Sequence, residues 1–353
     1  MTDPMRTNNY LIIISLLIVL TATESGCSFR ESKTASGKQQ QEKYLNVFSD
    51  SLLSKKLEDI SKSVCKVSCY AIYRTYLFDE NSKMLRRDLS DELLFARARA
   101  SISSNEAVSG TATVIYSDSN HIALLTCAHI VNFPDTVVSY YEESDLESGK
   151  YIQSISVKEK QQVFVRGMPD GGKMEILISD RISDISILGK IYENPGKTLP
   201  VFAFNLGKST QLKWGSYLYL IGYPLGQLMI TGGMGSKPVV PADEFVIDAL
   251  FNEGFSGGIV LAINSTTHSP ELVGIGRSVS ARSEYILKPE KENYEISYNP
   301  KTAYRGETYV KLRRDINYGI TYVVPSEKIR EFYLKNRAFL LENGINLDSF
   351  FSR

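Results

Sequence analysis

Three short stretches of this 353-residue chain carry side chains that could cooperate in nucleophilic acyl transfer. Gly254-Phe255-Ser256-Gly257-Gly258 offers a hydroxyl flanked by glycines. Thr126-Cys127-Ala128-His129 offers an imidazole at the end of the apolar run HIALL, and Ser183-Asp184-Ile185-Ser186-Ile187-Leu188 offers a carboxylate at the entry to another. Hydrolysis of an amide by a hydroxyl needs a base to take the proton and donors to hold the oxyanion. The glycines permit a tight turn in which the amides of Gly254 and Ser256 point at one spot, where that oxyanion would sit. The chain holds only three histidines, His121, His129 and His268, and a buried strand leads directly into His129. A carboxylate entering an apolar strand needs a partner, because burying an unpaired charge is costly. Pairing Asp184 with the Nδ1 hydrogen of His129 would satisfy it and leave Nε2 for Ser256. Asp180 is the competing carboxylate and reads as a loop residue. Cys127 lies too close to His129 in the chain to serve easily as its nucleophile.

The elements that must position these groups are short strands. From Val64 onward, segments rich in Val, Ile, Tyr and Thr recur between Gly, Asp, Asn and Ser clusters, from KVSCYAIYRTYLF through GTATVIYS, ISILGKI and GGIVLAI to ITYVVP. About a dozen such segments with few helices between them predict an antiparallel all-β barrel or sandwich. Val47, Leu52, Leu53, Leu57 and Ile60 recur at helical spacing, which predicts an accessory helix over 44–63 packed on the outside of the main domain. Helical spacing returns over 326–340, so helices flank the strands at both ends.

Residues 1–27 read as a targeting segment: a polar start with Arg6, an apolar run over 11–20, then small residues. The apolar run is too short to cross a bilayer comfortably, since a spanning helix needs about 20 residues. It ends Glu24-Ser25-Gly26-Cys27, which resembles a bacterial lipoprotein site with Cys27 as the lipidated residue, although Glu24 stands where an aliphatic residue is usual. Simple secretion and an uncleaved anchor are the alternatives. Residues 28–43 are polar and read as a flexible tether.

Composition narrows the function classes. Forty basic and forty acidic residues give no global field toward nucleic acid. With Cys27 lipidated, the odd remainder Cys65, Cys69 and Cys127 excludes a full disulfide framework and reads as buried small residues. No cysteine or histidine spacing suggests a metal site, and no cofactor is called for.

These residues together resemble the trypsin-like (chymotrypsin-fold) serine peptidases, particularly the HtrA-type peptidase domain. The order His129, Asp184, Ser256 is the one that fold uses. Gly110 to Ile115 looks like the strand preceding the histidine, Ile221-Gly222-Tyr223-Pro224-Leu225-Gly226 like a family turn, Asp248-Ala249 like the segment leading to the nucleophile, and Gly319 to Pro325 like the final strand. The resemblance implies an all-β double barrel of two six-stranded antiparallel β-barrels over 64–335, followed by a helical tail over 336–353. It implies a serine endopeptidase acting on proteins or peptides of the cell envelope or exterior, with Gly254 and Ser256 forming the oxyanion hole. It places Leu250 at the base of an apolar specificity pocket. Phe255 stands where trypsins carry the aspartate that pairs with a new N-terminus, so no activating cleavage is expected. Such domains often trimerise, so a homo-oligomer is admitted. The charged stretch 280–318 replaces a short loop and reads as a lid or a peripheral excursion, and no PDZ-like region follows. A catalytically silent peptide-binding module on the same barrel is the alternative reading, and an esterase a third.

Overall fold

The computed structural model describes residues 51–88, 90, 96–141, 151–192, 199–236, 238, 244–289 and 308–352, all within one compact unit that begins at Glu42. The targeting segment, Cys27 and the tether lie outside the described residues, as does the first part of the 44–63 helix.

Six strands form the first barrel: β1 (Val64–Leu77), β2 (Ala100–Ser117), β3 (His121–Thr126), β5 (Ile152–Val165), β6 (Lys173–Asp180) and β7 (Ile185–Ile191). They pair in the order β1-β2-β3-β7-β6-β5, and β1 pairs back onto β5 from Val67↔Val165 to Leu77↔Ser154. The sheet is therefore closed, and closure removes the exposed edges that a flat sheet would leave. A short strand β4 (Thr136–Tyr140) adds to the outer side of β5. Residues 122–126 of β3 and 185–189 of β7 are buried without interruption. These are the apolar runs that end at His129 and begin at Asp184.

The second sheet runs β10 (Met229–Met234), β9 (Tyr217–Gly222), β12 (Ile259–Ile263), β13 (Pro270–Pro289), β14 (Thr308–Pro325), β11 (Phe245–Ile247). Its two ends meet through a single antiparallel bridge between Gly235 and Ile247, flanked by Ser236 N–H donating to the Val246 carbonyl at 2.8 Å and Asp248 N–H donating to that of Met234 at 3.0 Å. The two-residue strand β8 (Asn205–Leu206) pairs in parallel with β13. The fold is thus a chymotrypsin-like double barrel of antiparallel strands with few helices.

The stretch 280–318 is not an irregular loop where it is described. Strands β13 and β14 run on past the barrel as a paired ribbon, from Ala281↔Ile316 to Pro289↔Thr308, after irregularities at Gly276/Ser278 and Val279/Ala281. The tip, 290–307, lies outside the described residues. In sequence, SARSEYILK and YVKLRRD mix charged residues with β-formers. TYVKLRR and ITYVVP, which read as two segments in the sequence, form one strand.

The helices are built into the core. Helix α1 (Ser51–Ser61) buries Leu53, Leu57 and Ile60, spaced four and three residues apart on one face. Helix α3 (Ser326–Glu342) begins after Pro325, crosses the expected 335/336 boundary without a break, and is followed by the single turn α4 (Asp348–Phe351); the turn Ala128–Val131 is α2. Tyr333 stacks on Phe351 with centroids 4.3 Å apart, and Asp348 accepts from Tyr333 Oη at 2.5 Å and Arg337 Nε at 2.7 Å.

Candidate active site

Strand β3 ends at Thr126, and the chain turns into α2, which presents His129 toward the cleft between the barrels. Asp184 sits immediately before β7, the neighbour of β3, so the two residues meet although 55 positions separate them. The contact has several components. His129 Nδ1 lies 2.8 Å from Asp184 Oδ2 and 3.0 Å from Oδ1, and the His129 backbone N–H donates to Oδ1 at 2.8 Å. The Asp184 carbonyl in turn accepts from Ala128 N–H at 3.2 Å. Asp184 is buried and adopts a left-handed backbone, φ 57°. That conformation costs about 1–3 kcal/mol and persists only where its surroundings over-determine it. Four contacts do so here. Because Nδ1 faces a carboxylate, it carries the ring hydrogen, and Nε2 is the free basic nitrogen.

Asp180 is held elsewhere. Its carboxylate accepts from Ile182 N–H at 2.9 Å and Ser183 Oγ at 2.8 Å, closing the turn that delivers Asp184.

Ser256 sits in a turn pinned by both barrels. Its carbonyl accepts from Thr111 N–H of β2 at 2.7 Å, and Gly257 N–H donates to the Gly276 carbonyl of β13 at 2.8 Å. Thr111 Oγ1 donates to the Gly254 carbonyl at 2.7 Å while accepting from Tyr223 N–H at 2.9 Å. The glycines are there by necessity. A Cβ on Gly254, at φ 106°, would meet Tyr223 O at 2.3 Å, and one on Gly257, at φ 79°, would meet Thr111 O at 2.1 Å. Within Gly254–Gly258, the amides of Phe255, Gly257 and Gly258 are bonded, whereas those of Gly254 and Ser256 have no acceptor among the described residues. Two amides without an acceptor beside a hydroxyl are available as donors of the kind an oxyanion needs.

The hydroxyl does not donate to His129. Ser256 Oγ donates to the carbonyl of Arg277 at 3.1 Å. Arg277 itself reaches Asp184, with Nε 3.3 Å from Oδ2, and Glu244, with Nη1 3.4 Å from Oε2. Nothing in the sequence singled out Arg277, one of forty basic residues, because its role arises from an irregularity in strand pairing at Gly276/Ser278. An open cavity of about 290 Å³ lies beside the imidazole, lined by His129, Arg181, Asp184 and Arg277.

Phe255 is fully buried in the second barrel against Phe251, ring centroids 5.8 Å apart. Leu250 is solvent-exposed, between buried Ala249 and Phe251, and is not among the residues that line the cavity beside His129. Cys65, Cys69 and Cys127 are all unbridged. Cys127, His129 and Asp184 bring three potential metal-ligand atoms within 4.8 Å. Burial nevertheless pushes the Cys127 thiol well above its ordinary pKa, and the thiol donates to the Gly276 carbonyl at 3.3 Å. The protonated thiol is a poor ligand and a poor nucleophile.

No protein-family model and no curated protein matches the sequence. Among solved structures, the chain is similar to the HtrA-type protease AlgW with a tripeptide, at 16% identity and a TM-score of 0.40 over 83% of this chain. It spans 64% of the AlgW chain. It is also similar to Deg5, at 18% identity and a TM-score of 0.36 over 65% of this chain and 87% of that one.

Proposed function

We propose that this chain is a serine endopeptidase of the trypsin-like class that hydrolyses peptide bonds of envelope or extracellular proteins. The observation that carries the reading is the His129–Asp184 pair, linked through Arg277 to a glycine turn whose Gly254 and Ser256 amides have no acceptor among the described residues. In this mechanism Ser256 Oγ leaves the Arg277 carbonyl, turns to Nε2 of His129 and attacks the substrate carbonyl. His129 takes the hydroxyl proton and returns it to the leaving amine, which yields an acyl-enzyme that water then hydrolyses. Asp184 stabilises the imidazolium without becoming protonated itself. The Gly254 and Ser256 amides hold the oxyanion. A resting serine turned from its base is compatible with this, because catalytic hydrogen bonds are often poorly aligned until substrate binds. The envelope assignment rests on the targeting segment and on lipidation at Cys27.

The deciding experiment is labelling by a fluorophosphonate probe together with casein turnover, for the chain and for Ser256→Ala. Labelling and turnover that both vanish in the variant support the reading, and equal signals in both would overturn it. The Ser256–Arg277 hydrogen bond favours one alternative, a silent peptide-binding module, which predicts no labelling of the unaltered chain.

A further inference from the structure

The proposed chemistry uses His129, Asp184 and Ser256 and leaves the two arginines beside them unexplained. Arg181 and Arg277 both line the 290 Å³ cavity that opens next to the imidazole. Arg181 is exposed and anchored by Nη2 donating to the Asn132 carbonyl at 2.8 Å. The Arg277 side chain is 37% exposed, and its contacts to Asp184 and Glu244 are 3.3 and 3.4 Å. Charge-assisted pairs are usually about 2.7–2.9 Å and often bidentate. Arg277 makes neither a short nor a forked contact, so its planar set of five donors is incompletely used.

Among the described residues, the only acid lining the cavity is Asp184, 5% exposed and already engaged by His129 Nδ1, the His129 amide and Arg277. The cavity lining therefore presents two guanidinium groups to an incoming peptide, while Glu244, 43% exposed and outside that lining, is the carboxylate already in contact with Arg277 at 3.4 Å. We propose that this cavity receives an acidic side chain of the peptide substrate, with Arg277 and Arg181 clamping its carboxylate, so that cleavage favours peptides carrying Asp or Glu close to the scissile bond. Arg277 is then a specificity-determining residue as well as the carbonyl on which Ser256 rests. Glu244 is the competing anion that the substrate carboxylate displaces. The inference deepens the endopeptidase reading and rests on it for the word cleavage, but the cavity can be tested for binding alone.

Two measurements separate the claims. The first is turnover of fluorogenic peptide pools in which each position on the acyl side of the bond is fixed in turn as Glu or Gln. The second is equilibrium binding of the same pools to Ser256→Ala, which needs no catalysis. We expect one position to prefer Glu over Gln by about 10- to 100-fold in kcat/KM and in affinity, as a charge-assisted pair of this kind supplies. Arg277→Gln should collapse that ratio, and Arg277→Glu should turn the preference toward Lys. Thermal melting of both variants verifies that they fold. The ratio is internal to each variant, so a change in overall rate does not obscure it. If every position binds and turns over Glu and Gln within about threefold in the unaltered cleft, the acidic-residue inference falls while the peptidase reading stands. If no pool is cleaved but the binding ratio persists, the peptidase reading falls and the cavity assignment stands.

Discussion

The Thr111 hydroxyl donates to the carbonyl of Gly254 at 2.7 Å across 143 positions of sequence, and accepts the Tyr223 amide at 2.9 Å. One buried oxygen thereby ties the first barrel, the turn after β9 and the Ser256 turn together. In Thr111→Val the methyl group would fill the space but leave the Gly254 carbonyl and the Tyr223 amide unsatisfied. Each such group costs about 1–3 kcal/mol. We expect a stability loss of about 2–4 kcal/mol in urea denaturation and weaker probe labelling of Ser256. Thr111→Ser, which keeps the oxygen, should recover most of both.

Backbone approach at the Ser256 turn makes a second prediction. Gly257→Ala places a Cβ 2.1 Å from the Thr111 carbonyl, which already accepts from Thr126 Oγ1 at 2.7 Å and cannot move freely. Gly171 has a similar φ, 68°, with nothing within 4 Å of the same Cβ. Gly171→Ala should therefore cost only the left-handed strain of about 1–2 kcal/mol. Gly257→Ala should cost more than that in thermal denaturation and abolish labelling. Equal costs at the two sites would show that the turn is not confined as described.

Asp184→Asn preserves the shape of the pair but would let the ring settle in the wrong tautomer. Under the proposed mechanism, kcat should fall about 10⁴-fold while the chain stays folded. Single-turnover measurements with a chromogenic ester would check it, and a loss below tenfold would remove Asp184 from the mechanism.

The Arg337 guanidinium, with help from the Tyr333 hydroxyl, holds the Asp348 carboxyl down at about 2, against an ordinary 3.8. A carboxylate whose pKa is lowered by folding stabilises the folded state fully above its unfolded value. That contribution fades as pH falls toward the folded value. The difference in melting temperature between the unaltered chain and Asp348→Asn should be constant above about pH 5 and shrink toward zero near pH 2. A difference that grew on acidification would contradict this coupling. Asp118, also lowered to about 2, titrates in the same window but is present in both proteins.

Much of the architecture was legible in residue patterns. Apolar runs before His129 and after Asp184 read as buried strands and are β3 and β7. Helical spacing over 44–63 and 326–340 reads as two helices, and where these ranges are described they hold α1 and α3. The ribbon of β13 and β14 was harder to see. Backbone pairing between the two segments, from Ala281↔Ile316 to Pro289↔Thr308, makes strands there, and charged residues interrupt the apolar alternation by which strands are usually recognised.

Sequence alone determined the chemistry on offer: three histidines, a serine between glycines, carboxylates at strand entries, and strand segments enough for closed barrels. Local pattern suffices for these because glycine spacing and hydrophobic period are properties of neighbouring residues. Only the tertiary structure decided that Asp184 rather than Asp180 meets His129, that the Ser256 hydroxyl rests on the Arg277 carbonyl, and that two guanidinium groups flank the imidazole. Those facts depend on strand register and on a β-irregularity beside Gly276, where a shift of one residue changes which groups face the cleft. Such contacts join residues tens to more than a hundred positions apart, and no local period records them.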